Sequence, residues 1–330
     1  MDLGLVFLGT SASAPTAQRA PTAILVRRGG ERLLFDCAEG TQRQLMRSTI
    51  GLPDLEEIFL THFHADHYLG LPGLLKTFSL RQRELPLTVY GPPGLRELFS
   101  SLRRIVGKVS YPVELEELRP GEALERDGYR ILPFPVHHGV ASVGYALVED
   151  ERPGEFDSAA ADALGVPFGP ERGELQRGES ITLEEGRVVT PDMVVGAPRP
   201  ARRVVIPGDT APVETVRVLA EGADVLVHEA TFLEDERDRA TDTLHSTARQ
   251  AAEVARDADV RLLALTHISP RYFGPEVARE AKEVFERVVV PRDFDVIEIP
   301  FPERGEPALV RRGARPVRDA APSQLPGASA

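Results

Sequence analysis

The chain has 330 residues, with 39 Lys and Arg against 51 Asp and Glu, a formal net charge of −12. That length holds one large domain or two ordinary ones, no run of about 18 apolar residues promises a transmembrane helix, and the opening "MDLGLVFLGTSASAP" has no basic leader, so neither membrane nor signal peptide is expected. The single cysteine, Cys37, excludes an internal disulfide and fits a reducing cytoplasm, while the acidic balance disfavours an extended nucleic-acid-binding face and leaves room for a compact basic patch.

In chain order, "LGLVFLG" (3–9), "TAILVRR" (22–28) and "RLLFDC" (32–37) read as short strands, followed by helical spacing in "GTQRQLMRSTI" (40–50). "LEEIFLTH" (55–62) is a strand, "GLLKTFSLRQRE" a helix, "LPLTVYGP" a strand and "GLRELFSSLRRIVG" a helix. Further strands are expected at 130–138 and 143–149. Between 150 and 200 proline and glycine become dense and periodicity fades, which marks an insertion. Order returns as strand 203–207, helix 212–221, strand 223–228, helix 246–258, strand 260–266, helix 275–287 and strand 294–299. Residues 311–330 read as a disordered tail. Two sheets of mixed strands with helices outside give an α/β sandwich: 1–150 its first half, 151–200 the insertion, 201–310 its second half.

The chemistry concentrates at "THFHADHYLGLPGLL" (61–75), which places His62, His64, Asp66 and His67 directly after a strand, in a chain with eight histidines. Ligands at i and i+2 on an extended backbone face one side, and a tight turn brings the next two around a neighbouring point. Imidazole and carboxylate suit zinc. A histidine-rich surface turn is the plain alternative, but the other candidates also sit at strand ends: His137 and His138, His228 in "VLVHEATF", His267 in "LLALTHIS", and Asp209 in "VVIPGDT". His245 precedes a helix in "HSTARQAA".

H-x-H-x-D-H followed by separated His, Asp and His resembles the metallo-β-lactamase superfamily, whose fold is an αββα sandwich with metals at one edge. The stretches "FLGTSASAPT", "LLFDCAEGTQRQL", "LTVYGPPG", "HHGVASVGYAL", "HEATF", "HST" and "LTHISPRY" narrow the resemblance to its ribonuclease Z branch, zinc endonucleases that mature tRNA 3′ ends. The resemblance implies two zinc ions: one on His62, His64 and His138, the other on Asp66, His67 and His267, with Asp209 bridging. His138 is preferred over His137, which is expected to face away. Two metals roughly 3.5–4 Å apart make a hydroxide available at neutral pH and offset phosphodiester charge. The resemblance further implies His245, held by Glu229, as proton donor to the leaving oxygen, and Asp66 as acceptor of the water's proton. The plain reading of "HST" is a helix cap at Ser246 or Thr247. His228 has a weaker claim.

The resemblance further implies that the insertion, which aligns in place with the family's protruding exosite arm, grips tRNA. It holds ten acids, five arginines and no lysine, so phosphate contacts fall to Arg172, Arg177 and Arg187 or to backbone N–H groups near Gly169. Arg19 is a further candidate RNA contact, although Ala20 stands where relatives often carry Asn. A dimer-stabilising loop is the plain reading of the insertion. The expected partners are therefore precursor tRNA and a second copy of the chain, in the cytoplasm, with no DNA and no membrane. Two other readings remain: a metallo-β-lactamase-fold hydrolase of an ester, lactone or small phosphodiester, which would lack the arm, and a non-catalytic metal-binding scaffold.

Overall fold

The computed structural model describes residues 1–52 and 55–311; the tail expected at 311–330 lies, from residue 312 onward, outside the described residues. The chain forms two compact units: a larger one from residues 1–124, 131–147 and 203 onward, and a smaller one from 125–130 and 148–202.

In the larger unit the first sheet runs, edge to edge, Ala308–Val310, Val296–Glu298, Leu3–Gly9, Ala23–Arg28, Glu31–Phe35, Glu57–Phe59, Leu87–Gly91 and Val113–Glu117. Every residue of Leu3–Gly9 is buried, so this strand is covered on both faces and reads as a continuous apolar run. One face, carrying Val6, Leu8, Leu34, Ile58, Leu60 and Val89, packs against Leu45, Leu71, Leu74, Phe78, Leu95 and Leu102 from helices Thr41–Arg47, Leu71–Leu80 and Leu95–Val106. The alternate residues meet the second sheet, because successive side chains on a strand point to opposite faces. There Phe35 and Phe59 stack at 4.9 Å, Phe59 and Tyr90 at 4.7 Å, and Tyr145 of the second sheet closes on Phe59 edge-on at 5.4 Å. The Tyr145 hydroxyl, buried among them, donates to the Leu60 carbonyl at 2.8 Å.

The second sheet takes Val288–Val289, Leu263–Thr266, Val225–Glu229, Arg203–Gly208, Val143–Glu149, Tyr129–Pro135 and Leu124–Arg126 in that order. Its first four strands are mutually parallel, so their C-terminal ends deliver Asp209, His228, Glu229 and His267 to one edge. Helix Ala248–Asp257 covers this sheet with a stripe of small residues, Ala248, Ala251, Ala252 and Ala255. Thr247 and Gln250 cap its start reciprocally: Gln250 N–H donates to Thr247 Oγ1 at 3.1 Å, and Thr247 N–H to Gln250 Oε1 at 2.9 Å.

Two expected strands are shorter than their patterns. The strand expected at 130–138 ends at Pro135, where His137 leaves the ladder to bond Thr210 Oγ1 and Ala211 N–H. The strand expected at 55–62 is regular only over Glu57–Phe59, because Thr61 N–H turns to a side chain, Asp36 Oδ1, at 2.8 Å.

The smaller unit corrects the impression of an irregular insertion. It contains helices Ser158–Ala163 and Pro170–Gln176 and a hairpin of Ile181–Thr182 with Val188–Val189. Ala161, Val166, Leu175, Ile181, Leu183, Val189 and Val194 form its own core. Elements of two to seven residues are too short to print a periodicity on the sequence. A buried bidentate pair, Arg202 Nε to Glu149 Oε2 at 2.7 Å and Arg202 Nη2 to Glu149 Oε1 at 2.9 Å, also lies within this unit.

Candidate metal centre

All seven expected ligands lie in the larger unit. After Phe59 the chain runs extended through Thr61 to His64 and then makes one helical turn, Ala65–Tyr68. The extended stretch puts His62 and His64 on one side; the turn swings Asp66 and His67 round beside them. Gly208 precedes Asp209 with φ +72°, and a Cβ there would stand 2.8 Å from Thr61 Cβ, so this crossing of strand ends needs glycine. His267 takes the left-handed conformation, φ 54°, directly after its strand, a backbone that few non-glycine residues adopt.

The donor atoms fall into two linked sets. His62 Nε2 and His64 Nδ1 are 3.1 Å apart, as are His64 Nδ1 and His138 Nε2. Asp66 Oδ2 lies 3.3 Å from His267 Nε2 and 3.8 Å from His67 Nε2. Asp209 Oδ2 sits between the sets, 3.8 Å from His62 Nε2 and 3.3 Å from both His67 Nε2 and His267 Nε2.

The rings are oriented from outside. His67 Nδ1–H donates to Asp36 Oδ2 at 2.8 Å, His138 Nδ1–H to the Leu244 carbonyl at 3.1 Å, and His267 Nδ1–H to Thr231 Oγ1 at 2.8 Å. His62 Nδ1 lies 3.0 Å from Thr61 Oγ1, whose own hydrogen goes to Asp36. These partners fix the tautomers, so the inner nitrogens of all four rings carry lone pairs. The buried His67 Nε2 has no hydrogen-bond partner among the described residues. Lone pairs crowded round two points lack hydrogens to share, and a cation satisfies them. The 3.1 Å spacing in the three-histidine set is near the edge of a tetrahedron with arms of about 2.0–2.1 Å, roughly 3.3 Å. The residues therefore fit a metal.

Sequence comparison agrees. The pattern of the metallo-beta-lactamase superfamily matches residues 17–150, and that of a beta-lactamase superfamily domain matches residues 177–268. Ribonuclease Z of Halorubrum lacusprofundi is 47% identical over 311 residues, 93% of this chain and 100% of that one. Ribonuclease Z of Myxococcus xanthus is 47% identical over 303 residues, 91% of this chain and 98% of that one. The chain belongs to the ribonuclease Z family. Among solved structures, human tRNase Z, short form, is 28% identical with a TM-score of 0.65, covering 90% of this chain and 99% of that one. The Bacillus subtilis metallo-beta-lactamase fold protein YhfI, at 20% identity and a TM-score of 0.66, covers 90% and 100% and shares the fold. The metallo-beta-lactamase fold is a metal-binding one, and the His, Asp and Glu groups that could hold a metal here comprise the donors above together with His245 and Glu229.

The electrostatics of this ribonuclease Z site favour a cation. Burial pushes His62 and His64 down from their ordinary value and keeps them neutral, the form that ligates. At His67 burial acts downward too, but the Asp209 and Asp36 carboxylates outweigh it and raise the ring. Burial pushes Asp209 and Asp66 up, yet the surrounding histidines hold both carboxyls below their usual range. The carboxylates that raise His67 attract a divalent cation by the same charge.

Beside the ligands, His245 Nδ1 donates to Glu229 Oε1 at 2.8 Å. Glu229 is buried, and its other oxygen takes the Thr231 hydroxyl at 2.5 Å. One carboxylate thereby orients His245 directly and His267 through Thr231. Burial would lower His245, but Glu229 overrides it and lifts the imidazole to about 9. The "HST" stretch divides its tasks: His245 faces Glu229, Ser246 Oγ donates to the Thr210 carbonyl at 2.7 Å, and Thr247 caps the helix.

The remaining candidates separate. His137 is exposed and in neither set, although the reason differs from strand alternation, since both histidines lie beyond the strand. His228 is buried with Nδ1 on the Glu229 carbonyl at 2.8 Å and lies outside the donor groups. Cys37 is buried, which pushes its thiol up and keeps it unreactive. Arg19 donates from Nη1 to Thr10 Oγ1 at 2.6 Å and to the Pro291 carbonyl at 2.8 Å, acting as a strut. In the smaller unit Gly169 precedes helix Pro170–Gln176, Arg172 pairs with Asp162, Arg177 with Glu179 at 3.6 Å, and Arg187 with Glu185 at 2.8 Å.

Sequence reasoning passed over Asp36 and Thr231. Both stood inside quoted stretches, "FDCAEG" and "HEATF", and the only local signal was a polar residue at a strand end.

Proposed function

We propose that this protein is an endoribonuclease that removes the 3′ trailer from precursor tRNA. The reading rests on one observation: a complete two-set donor cluster and an oriented His–Glu pair converge on one sheet edge in a chain 44–48% identical to enzymes named ribonuclease Z. His62, His64 and His138 would hold one zinc, Asp66, His67 and His267 a second, with Asp209 shared. Bound there, the metals supply a lowered water pKa and positive charge against the phosphodiester oxygens.

The side chains do the rest. Asp66 Oδ2 accepts Ser13 N–H at 2.7 Å, and the carboxyl stays ionised. It can orient the attacking water and accept its proton. As the water oxygen bonds to phosphorus, the bond from phosphorus to the 3′ oxygen breaks and that oxygen needs a proton. His245, fixed by Glu229, whose carboxylate favours the protonated ring, delivers it. The tRNA leaves with a 3′ hydroxyl and the trailer with a 5′ phosphate.

The smaller unit is proposed as the arm that holds the tRNA, serving the partner's site in a homodimer in the cytoplasm. Support comes from its independent core, which lets it act as a preformed surface. With Arg172, Arg177 and Arg187 each facing an acid, backbone N–H groups near Gly169 are the better phosphate donors. Among the described residues no helix is long and apolar enough to cross a membrane.

Incubation of the zinc-loaded protein with a 3′-extended tRNA precursor, followed by mapping of both new ends, tests the reading. A cut at the trailer junction leaving a 3′ hydroxyl supports it. Hydrolysis of small phosphodiesters with the precursor left intact refutes it.

A further inference from the structure

Next to the metal centre lies a cavity of about 460 Å³ that the mechanism leaves unused. Its wall begins at Pro15, two residues after Ser13, whose N–H holds Asp66 Oδ2. Two residues span at most about 7 Å, so the cavity adjoins the reacting centre.

Its charge runs against that of the chain. Arg19, Arg43, Arg47 and Arg292 line it against two acids, Glu39 and Asp293, in a protein of net charge −12. Asp293 is spent inward: Oδ2 accepts Ala20 N–H at 2.7 Å and Gln44 Nε2 at 2.8 Å, and Oδ1 accepts Thr10 Oγ1 at 2.9 Å. Arg19 is spent on Thr10 and Pro291, and the Arg47 guanidinium lies 5.1 Å over the Phe294 ring. These bonds preform the wall. Arg43 and Arg292 remain, both exposed, and neither has an ion-pair partner among the described residues. Glu39, the other acid on the wall, forms no ion pair with either among the described residues, so two unpaired guanidiniums face one preformed cavity.

We infer that this cavity binds a backbone phosphate of the RNA strand that flanks the scissile bond, with Arg43 and Arg292 as its ligands. This rests on the precursor-tRNA reading. Planar guanidiniums match phosphate oxygens bidentately and retain their charge at all working pH values. A preformed basic cavity beside the centre would hold the strand in register while the neighbouring phosphodiester meets the metals. The phosphate can come from either side of the cut, the trailer or the tRNA end.

The test measures precursor affinity of the zinc-loaded protein against salt for the unaltered chain, Arg43→Gln/Arg292→Gln and Arg43→Lys/Arg292→Lys. Each single-strand phosphate contact contributes about 0.7 to the log–log slope, so the glutamine pair, which removes one such contact, should flatten it by about 0.7. The lysine pair should restore most of it. Melting temperature and zinc content identify any misfolded variant, and both side chains are exposed. Precursors with trailers of increasing length and a trailerless tRNA locate the phosphate: a difference seen only with trailers places it there, and one seen on every RNA places it on the tRNA side. Equal slopes for the unaltered and glutamine proteins on all RNAs overturn the inference. Failure of the unaltered protein to cut the precursor would instead count against the functional reading.

Discussion

Replacing Asp36 by asparagine would change one atom and move a proton across the metal site. Asp36 Oδ1 accepts Thr61 N–H at 2.8 Å and Thr61 Oγ1 at 3.1 Å; Oδ2 accepts His67 Nδ1–H at 2.8 Å. An amide can keep only one of these faces. With its oxygen on Thr61, its NH2 meets His67 Nδ1, which must then give up its hydrogen. The proton moves to Nε2, the atom 3.3 Å from Asp209 Oδ2, and a protonated nitrogen cannot ligate. With the amide reversed, its NH2 faces Thr61 N–H, donor against donor. Losing such an outer partner typically weakens metal binding 10–100-fold, or about 1.4–2.8 kcal/mol. Competition against a chelator of known affinity, with melting temperature as a control for folding, measures it. The loss should fall on the site formed by Asp66, His67 and His267, and excess zinc should recover part of the cleavage. Two sites of unaltered affinity in a folded Asp36→Asn protein would refute the tautomer argument.

His245→Ala should retain its metals and its tRNA affinity while single-turnover cleavage drops by about 10²–10⁴, and Glu229→Gln should follow more mildly; an unchanged rate would remove His245 from proton delivery. Burial lifts the Asp293 carboxyl to about 6. Its folded value then exceeds its unfolded one, so its stabilising contribution is present below about pH 4 and lost as pH rises through about 6. Thermal unfolding from pH 4 to 7 should show this slope, on the order of 2–3 kcal/mol, in the unaltered protein and not in Asp293→Asn; parallel profiles would contradict it. Replacing residues 155–190 by a Gly-Ser link should abolish tight precursor binding while hydrolysis of bis(p-nitrophenyl) phosphate survives, because the metal-site residues all belong to the larger unit; unchanged tRNA affinity would sink the arm assignment.

The clustering of the candidate donors was legible because its signal is local. His62, His64, Asp66 and His67 fall within six positions, and a strand followed by one helical turn aims them at neighbouring points whatever the rest of the chain does. Asp209 and His267 were legible because parallel strands gather their C-terminal ends on one edge. Long apolar strands such as Leu3–Gly9 announced themselves for the same kind of reason, since burial on both faces leaves an unbroken run.

What the sequence did not carry was the layer behind the ligands. Asp36 reaches His67 across 31 residues and Thr231 reaches His267 across 36, and a hydrogen bond between separate strand ends leaves no spacing to detect. The same holds for Arg43 and Arg292: each looks like an ordinary surface arginine until folding sets them on one cavity without an acid to pair. Local spacing by itself determined which residues could ligate, because short-range backbone geometry decides where neighbouring side chains point. Only the tertiary structure decided which nitrogen of each ring faces inward and which charges stay unpaired, because both depend on partners brought together from distant parts of the chain.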